Sequence, residues 1–254
     1  MKEIITWLMR HVPRPILIRF SYVFNKVSPL FLKGDKVHCP ICDGDYKYFL
    51  PYGTVKRRDN VLCPSCLSLE RHRLLWLFLN QKTNFFTDDI KLLHIAPEQC
   101  FYKRFRNQKN LDYLTGDLYS PLADVKMDIH EMPFEDNRFD AILCNHVLEH
   151  VDDSHKSMTE IYRVLKPGGW AVMQVPLDTT RATTYEDPSI TSDEDREKHF
   201  WQKDHVRLFG LDYPTKLEAA GFKVTPIDLS AELPADLVEK YRLSKGEVIY
   251  WCHK

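Results

Sequence analysis

No apolar run in this sequence approaches the ~18 residues of a membrane-spanning helix. The first apolar stretch is broken by Arg10, His11, Pro13, Arg14 and Pro15, so it lacks the unbroken core of a secretory leader. Net charge is scarce as well. Lys and Arg number 35 against 36 Asp and Glu, a formal charge of −1, so nothing global draws the chain to nucleic acid. Repeats and low-complexity tracts are absent. These absences leave a soluble globular chain, expected in a reducing, cytoplasmic setting. Its 254 residues, 44% hydrophobic and 28% charged, suit one α/β domain with a small appendage.

The organisation changes along the chain. Residues 1–36 are apolar and basic, with Lys2, Arg10, Arg14, Arg19, Lys26, Lys33 and Lys36 among Trp7, Phe20, Tyr22 and Phe24. Such a segment packs as a helix on the body or lies on an anionic membrane surface. Residues 37–66 hold paired cysteines. Residues 67–89 read as a connecting helix and polar linker, with Leu67, Leu74, Leu75, Phe78 and Leu79 on one face. From residue 90 to 254 strands alternate with helices, which predicts a doubly wound, mostly parallel α/β sheet of Rossmann-like type. A polar stretch over 177–212 interrupts the alternation, and an insertion of that length is expected to be a lid or binding loop.

Four of the seven cysteines form two C-x-x-C turns, Cys39/Cys42 and Cys63/Cys66. Each turn aims two sulfurs at one point, and two turns complete a tetrahedron around Zn²⁺. A redox dithiol and paired disulfides are the rival readings, and the spacing favours the metal. Four ligands close the site to substrate, so its role is structural. His38 and His72 flank it and read as surface histidines. Residues 36–73 carry seven basic and four acidic side chains, a weak phosphate magnet once thiolates are counted.

Two stretches carry a resemblance. One runs Met127-Asp128-Ile129-His130-Glu131-Met132-Pro133-Phe134-Glu135-Asp136-Asn137-Arg138-Phe139-Asp140 and on through Asn145-His146-Val147-Leu148-Glu149-His150-Val151. The other is Glu160-Ile161-Tyr162-Arg163-Val164-Leu165-Lys166-Pro167-Gly168-Gly169. Both closely resemble class I S-adenosylmethionine-dependent methyltransferases of the type 11-like group, over residues 90–254. The resemblance implies a seven-stranded sheet and S-adenosylmethionine as cofactor, bound by His94, Ile95, Ala96, Glu98, Asp117, Leu118, Asp128, Ile129 and Asn145. Within it, Asp117 would meet the ribose hydroxyls and Asp128 the adenine amino group. The first loop departs from the family pattern. His94 stands in place of an acid, and Ala96-Pro97-Glu98 in place of glycines that let backbone approach a ligand. The segment Asp204-His205-Val206-Arg207-Leu208-Phe209-Gly210 resembles a subgroup that shares the Ala-Pro-Glu loop.

Methyl transfer to a hydroxyl needs alignment and removal of a proton, for which histidine is the usual base. His205 in the insertion and His146 after the fourth strand are the candidates, with Arg207 as a binder of substrate carboxylate or phosphate. His150 reads as a helix-packing residue. The favoured acceptor is a small molecule or glycan-like hydroxyl, since the insertion is acidic. Methylation of ribosomal or transfer RNA, and a non-catalytic scaffold, are the less favoured alternatives.

Overall fold

A computed structural model of the chain describes residues 27–53 and 57–254, together with Val12, Ile16, Phe24 and Asn25. The membrane-surface reading of 1–36 therefore falls mostly outside the described residues, and Lys56 does too. Among the described residues no helix is long and apolar enough to cross a membrane.

The chain divides into two compact units. One holds the described residues up to Phe86 with Glu98–Arg104 and Asp228–Glu247; the other holds Thr87–Pro97, Phe105–Ile227 and Val248–Lys254. This differs from a linear division in which 90–254 forms one body. The reason is visible in the first unit.

There β1 (Lys33–Cys39) pairs antiparallel with β2 (Gly44–Tyr46), and β3 (Leu50–Tyr52) with β4 (Arg58–Leu62). Helix Glu70–Lys82 follows and buries Leu74, Leu75, Phe78 and Leu79. Leu67 precedes that helix in a left-handed turn with φ 60°, so it is not part of the apolar stripe. Arg73 is fully buried on the helix. Its guanidinium donates to the carbonyls of Val61 (2.9 Å), Ser68 (2.9 Å), Tyr241 (2.7 Å) and Arg242 (3.1 Å), and lies 4.5 Å from the Phe49 ring centre. A buried cation needs such partners, because stranding it would cost several kcal/mol. The carbonyls it recruits tie the late segment 228–247 into this unit. His72 is buried here too, its Nδ1 accepting from the Leu69 amide at 3.0 Å, and is not the surface histidine expected.

The second unit holds β5 (Ile90–Ile95), β6 (Leu111–Asp117), β7 (Val125–Lys126), β8 (Phe139–Asn145), β9 (Leu165–Gln174), β10 (Tyr185–Glu186), β11 (Arg207–Leu208), β12 (Lys223–Ile227) and β13 (Ile249–His253). Seven of these form one sheet in the order β12-β13-β9-β8-β5-β6-β7. Strand β13 runs antiparallel to both its neighbours, and the other pairings are parallel. The expected Rossmann-like, mostly parallel seven-stranded sheet is thus present. Near-continuous apolar strands such as Leu92–Ile95 and Ala141–Cys144 follow from burial on both faces. Helix Ser154–Val164 is capped by the Asp153 carboxylate, which accepts from the Lys156 amide, and it buries Met158, Ile161 and Val164. The helix ends at Val164 with Leu165 as its extended cap, before the Lys166-Pro167-Gly168-Gly169 expected to stop it, and those four residues lie within β9.

The insertion 177–212 is more ordered than a lid with few anchors. Strands β10 and β11 pair, and helix Asp193–Phe200 is capped by Ser192. His205, Arg207, Leu208 and Phe209 are buried. The motif glycine has a steric reason: a Cβ on Gly210 would lie 2.6 Å from the Thr183 carbonyl group.

Candidate functional site

In an open α/β sheet, ligands bind beyond the carboxyl ends of the strands. Strands β5, β6 and β8 end side by side, with Ile95 opposite both Gly116 and Cys144. Two residues just past these ends hold left-handed backbone although neither is glycine: Ala96 at φ 51° and His146 at φ 55°. Such a conformation costs an L-residue about 1–2 kcal/mol and concentrates at working sites. Ala96 is held by its amide donating to the Gly116 carbonyl at 2.9 Å, and His146 by its amide donating to the Gln174 carbonyl at 2.7 Å. Ala96 thus takes the glycine-like conformation its small side chain permits. Ala96→Gly is expected to raise stability by up to about 1 kcal/mol, the strain relieved less the extra freedom of glycine unfolded. Thermal melting checks it; a lower melting temperature would contradict the strain argument.

Asp117 closes β6. Its Oδ1 accepts from the amides of Tyr119 (2.6 Å) and Ser120 (2.5 Å), which orients the carboxylate, and Leu118 and Tyr119 beside it are exposed apolar side chains. Asp128 accepts from the His130 amide (2.9 Å) and Nδ1 (2.7 Å). The backbone donor holds its carboxyl below the usual range and therefore ionised. The motif that follows is a clamp on this loop. Glu160 accepts from the Met132 amide at 2.9 Å, and Arg163 donates to Glu160 and to the Phe134 and Met132 carbonyls.

Other expected contacts are placed differently. His94 is fully buried, its Nδ1 2.9 Å from the Tyr113 hydroxyl and its ring beside Phe105, so it belongs to the core and not to the ligand edge. The side chains of Ile95 and Ile129 join the apolar core of the opposite sheet face, with Leu93, Ile142 and Met173. Asn145 is buried at the end of β8. Glu98 opens helix Gln99–Arg106, its carbonyl accepting from the Phe101 and Tyr102 amides, and groups with the first unit.

Arg207 is not offered to a substrate. It is 3% exposed and donates to the carbonyls of Leu148 (2.7 Å), Val151 and Asp152 (2.8 Å) and to Glu186 (3.0 Å). It staples the insertion to the turn after β8. His205 is 1% exposed, its Nδ1 2.9 Å from the Phe200 carbonyl, and burial holds its pKa below the usual histidine value. Its ring meets that of His150 edge-on, 4.7 Å between centres. His146 remains nearer the edge: half-buried, with Nδ1 3.3 Å from Glu149 Oε1. Glu149, 1% exposed, is the functional candidate the sequence reading passed over. An acid between two histidines in His146-Val147-Leu148-Glu149-His150 is the signal the sequence carries.

In the first unit the four cysteines converge, their sulfurs all within 4.8 Å of one another. Cys39–Cys66 and Cys42–Cys63 are each 3.6 Å apart, and none is in a disulfide. Zn–S bonds of ~2.3 Å imply sulfur–sulfur edges of ~3.8 Å, so the donor set fits a tetrahedral ion. Ser68 Oγ lies 3.2 Å from the sulfurs of both Cys39 and Cys66, a buttress outside the ligands. Burial pushes the Cys63 thiol up, and the adjoining Cys39 adds to this. Four sulfurs this close cannot all ionise without a cation.

Several known proteins are similar to parts of this chain. The family described as "Methyltransferase domain" matches residues 91–173. A ubiquinone/menaquinone biosynthesis C-methyltransferase of Desulfotalea psychrophila is 47% identical over 53 residues, 21% of this chain and 20% of that protein. The chloroplastic 2-phytyl-1,4-beta-naphthoquinone methyltransferase of Arabidopsis thaliana is 26% identical over 150 residues, 58% of this chain and 53% of that protein. The chain thus spans about a fifth to about half the length of these relatives. The crystal structure of the [4+2]-cyclase SpnF, 14% identical, covers 92% of this chain and 94% of its own at a TM-score of 0.50, a likeness of fold alone. Residues 91–173 thus match the methyltransferase domain family, within a seven-stranded sheet of Rossmann-like order.

Proposed function

We propose that this protein is an S-adenosylmethionine-dependent methyltransferase acting on a small-molecule or glycan-like hydroxyl acceptor, with a structural Zn²⁺ held by Cys39, Cys42, Cys63 and Cys66. The observation that carries the reading is the carboxyl edge of β5, β6 and β8. There two left-handed residues, Ala96 and His146, sit beyond adjacent strands of a sheet that also carries oriented Asp117. Asp117 would receive the ribose hydroxyls and Asp128 the adenine amino group, both as hydrogen-bond acceptors. Bound there, the cofactor supplies an electrophilic methyl group. His146 is the better placed base: its Nδ1 lies 3.3 Å from Glu149 Oε1, and its buried Nε2, without a hydrogen-bond partner among the described residues, is the nitrogen that would take a hydroxyl proton.

The quinone-ring relatives support a second reading, methylation at carbon of a hydroxylated ring. The same base serves both, since removing a ring hydroxyl's proton activates either the oxygen or the neighbouring carbon. Asp117→Ala and Asp128→Ala are each expected to weaken S-adenosylmethionine binding by about 1–3 kcal/mol. Calorimetry on folded variants reads this directly, and unchanged affinity in both would remove the cofactor site from this edge. Transfer of labelled methyl from the cofactor onto separated RNA, glycan and metabolite fractions identifies the acceptor. Label appearing in RNA alone would overturn the small-molecule reading.

A further inference from the structure

The side chains of Glu149, His150 and His205 each bring one ligand atom to within 4.8 Å of the others. Two features of this cluster point beyond packing. First, each histidine has its Nδ1 beside a main-chain carbonyl: His205 at Phe200 O, 2.9 Å, and His150 at Asp204 O, 3.0 Å. A carbonyl only accepts, so Nδ1 carries the hydrogen in both rings and a neutral ring presents its Nε2 lone pair. That is the arrangement in which metal-binding histidines are held, the far nitrogen donating to a carbonyl. Second, the buried Glu149 carboxylate, 1% exposed, has one oxygen, Oε2, without a hydrogen-bond partner among the described residues. Its other oxygen lies 3.9 Å from His150 Nε2. A nitrogen of each ring and a carboxylate oxygen therefore converge, and the donor beside them among the described residues is His146 Nδ1, 3.3 Å from Glu149 Oε1. Acceptors do not stabilise one another, and a bound cation would satisfy all three at once.

We propose that Glu149, His150 and His205 form a second metal site, of two imidazoles and one carboxylate, for a divalent transition ion of the zinc class. The donor set is nitrogen and oxygen, unlike the all-sulfur cluster of the first unit, and three protein ligands leave a position open. Ligand edges of ~3.4 Å follow from bonds of ~2.1 Å, so the 3.9 Å of the Glu149–His150 pair, and the separations of up to 4.8 Å within the cluster, must close by inward rotation of the side chains. The surroundings are rigid. Arg207 fixes the carbonyls of Leu148, Val151 and Asp152 around the glutamate–histidine pair, and the Val206 amide donates to the Glu149 carbonyl at 2.9 Å. The ion would draw the insertion, through His205, onto the turn after β8, through Glu149 and His150. It would also sit beside His146, whose Nδ1 shares the Glu149 carboxylate at 3.3 Å. The site is argued from these residues and does not depend on methyl transfer.

The test uses the full-length protein with its sulfur site loaded with Zn²⁺, titrated with Co²⁺. The expected result is one further equivalent of Co²⁺ with the weak visible bands of a nitrogen–oxygen site and no thiolate charge-transfer band. Glu149→Gln, nearly isosteric, and His150→Gln, on a side chain 33% exposed, should each weaken that binding at least tenfold while the sulfur site keeps its Zn²⁺. Circular dichroism confirms that the variants are folded. Wild-type protein that takes up no further Co²⁺, or variants that bind it as tightly as wild type, would overturn the proposal.

Discussion

Cys39→Ser is expected to abolish zinc binding at the proposed four-sulfur site of the first unit and to destabilise that unit by several kcal/mol. Part of the ~10–16 kcal/mol with which a structural zinc site binds its ion is folding free energy. The reason lies in how little else holds this part. Strands β1 to β4 are short two-stranded ribbons, and ribbons of this size are marginal alone. A zinc ion on the four sulfurs would cross-link them, since Cys39 ends β1 and Cys63 follows β4. Metal content by elemental analysis and a thermal melt read the two halves of the expectation. Protein purified without added metal should hold zinc in the wild type, and the melt of the variant should lose cooperativity or split. A zinc-free wild-type sample that is fully folded would refute the assignment. Ser68→Ala serves as the milder comparison, removing only the hydroxyl 3.2 Å from two sulfurs.

His146→Asn is expected to lower methyl transfer by ~10²-fold or more, the range for losing a general base, while S-adenosylmethionine binds nearly as before. Asparagine suits the test because it tolerates the left-handed backbone that His146 adopts at φ 55°. Its side-chain amide can also donate to Glu149, so positioning is preserved and proton uptake is lost. His205→Ala is the contrasting variant. His205 is buried against Phe200 and His150, so its loss should act through stability and through the fit of the insertion. A His146→Asn enzyme with wild-type turnover would return the base to His205 or dispense with one.

Much of the catalytic domain could be read before any coordinates. The apolar runs at β5 and β8 and the amphipathic stripe of Met158 and Ile161 are local patterns, and local patterns survive folding when burial demands them. The cysteine cluster was readable for the same reason: a C-x-x-C turn aims its sulfurs by local geometry alone. Leu67 misled because its neighbours are periodic, yet a left-handed turn removes it from the helix.

What the sequence by itself determined was the type of sheet, the clustering of the four cysteines and the place of the acidic residues proposed to meet the cofactor, because each depends on residues near one another in the chain. Tertiary structure alone decided the roles of the isolated polar side chains. His94 could stand for a missing acid until Tyr113 and Phe105 claimed it for the core. Arg207 could bind a substrate until the carbonyls of Leu148 and Asp152, more than fifty residues earlier, took its hydrogens. His205 could be a lid base until Glu149 and His150 closed around it. Whether a charged or hydrogen-bonding group serves substrate or scaffold depends on which partners reach it first, and those partners come from distant parts of the chain.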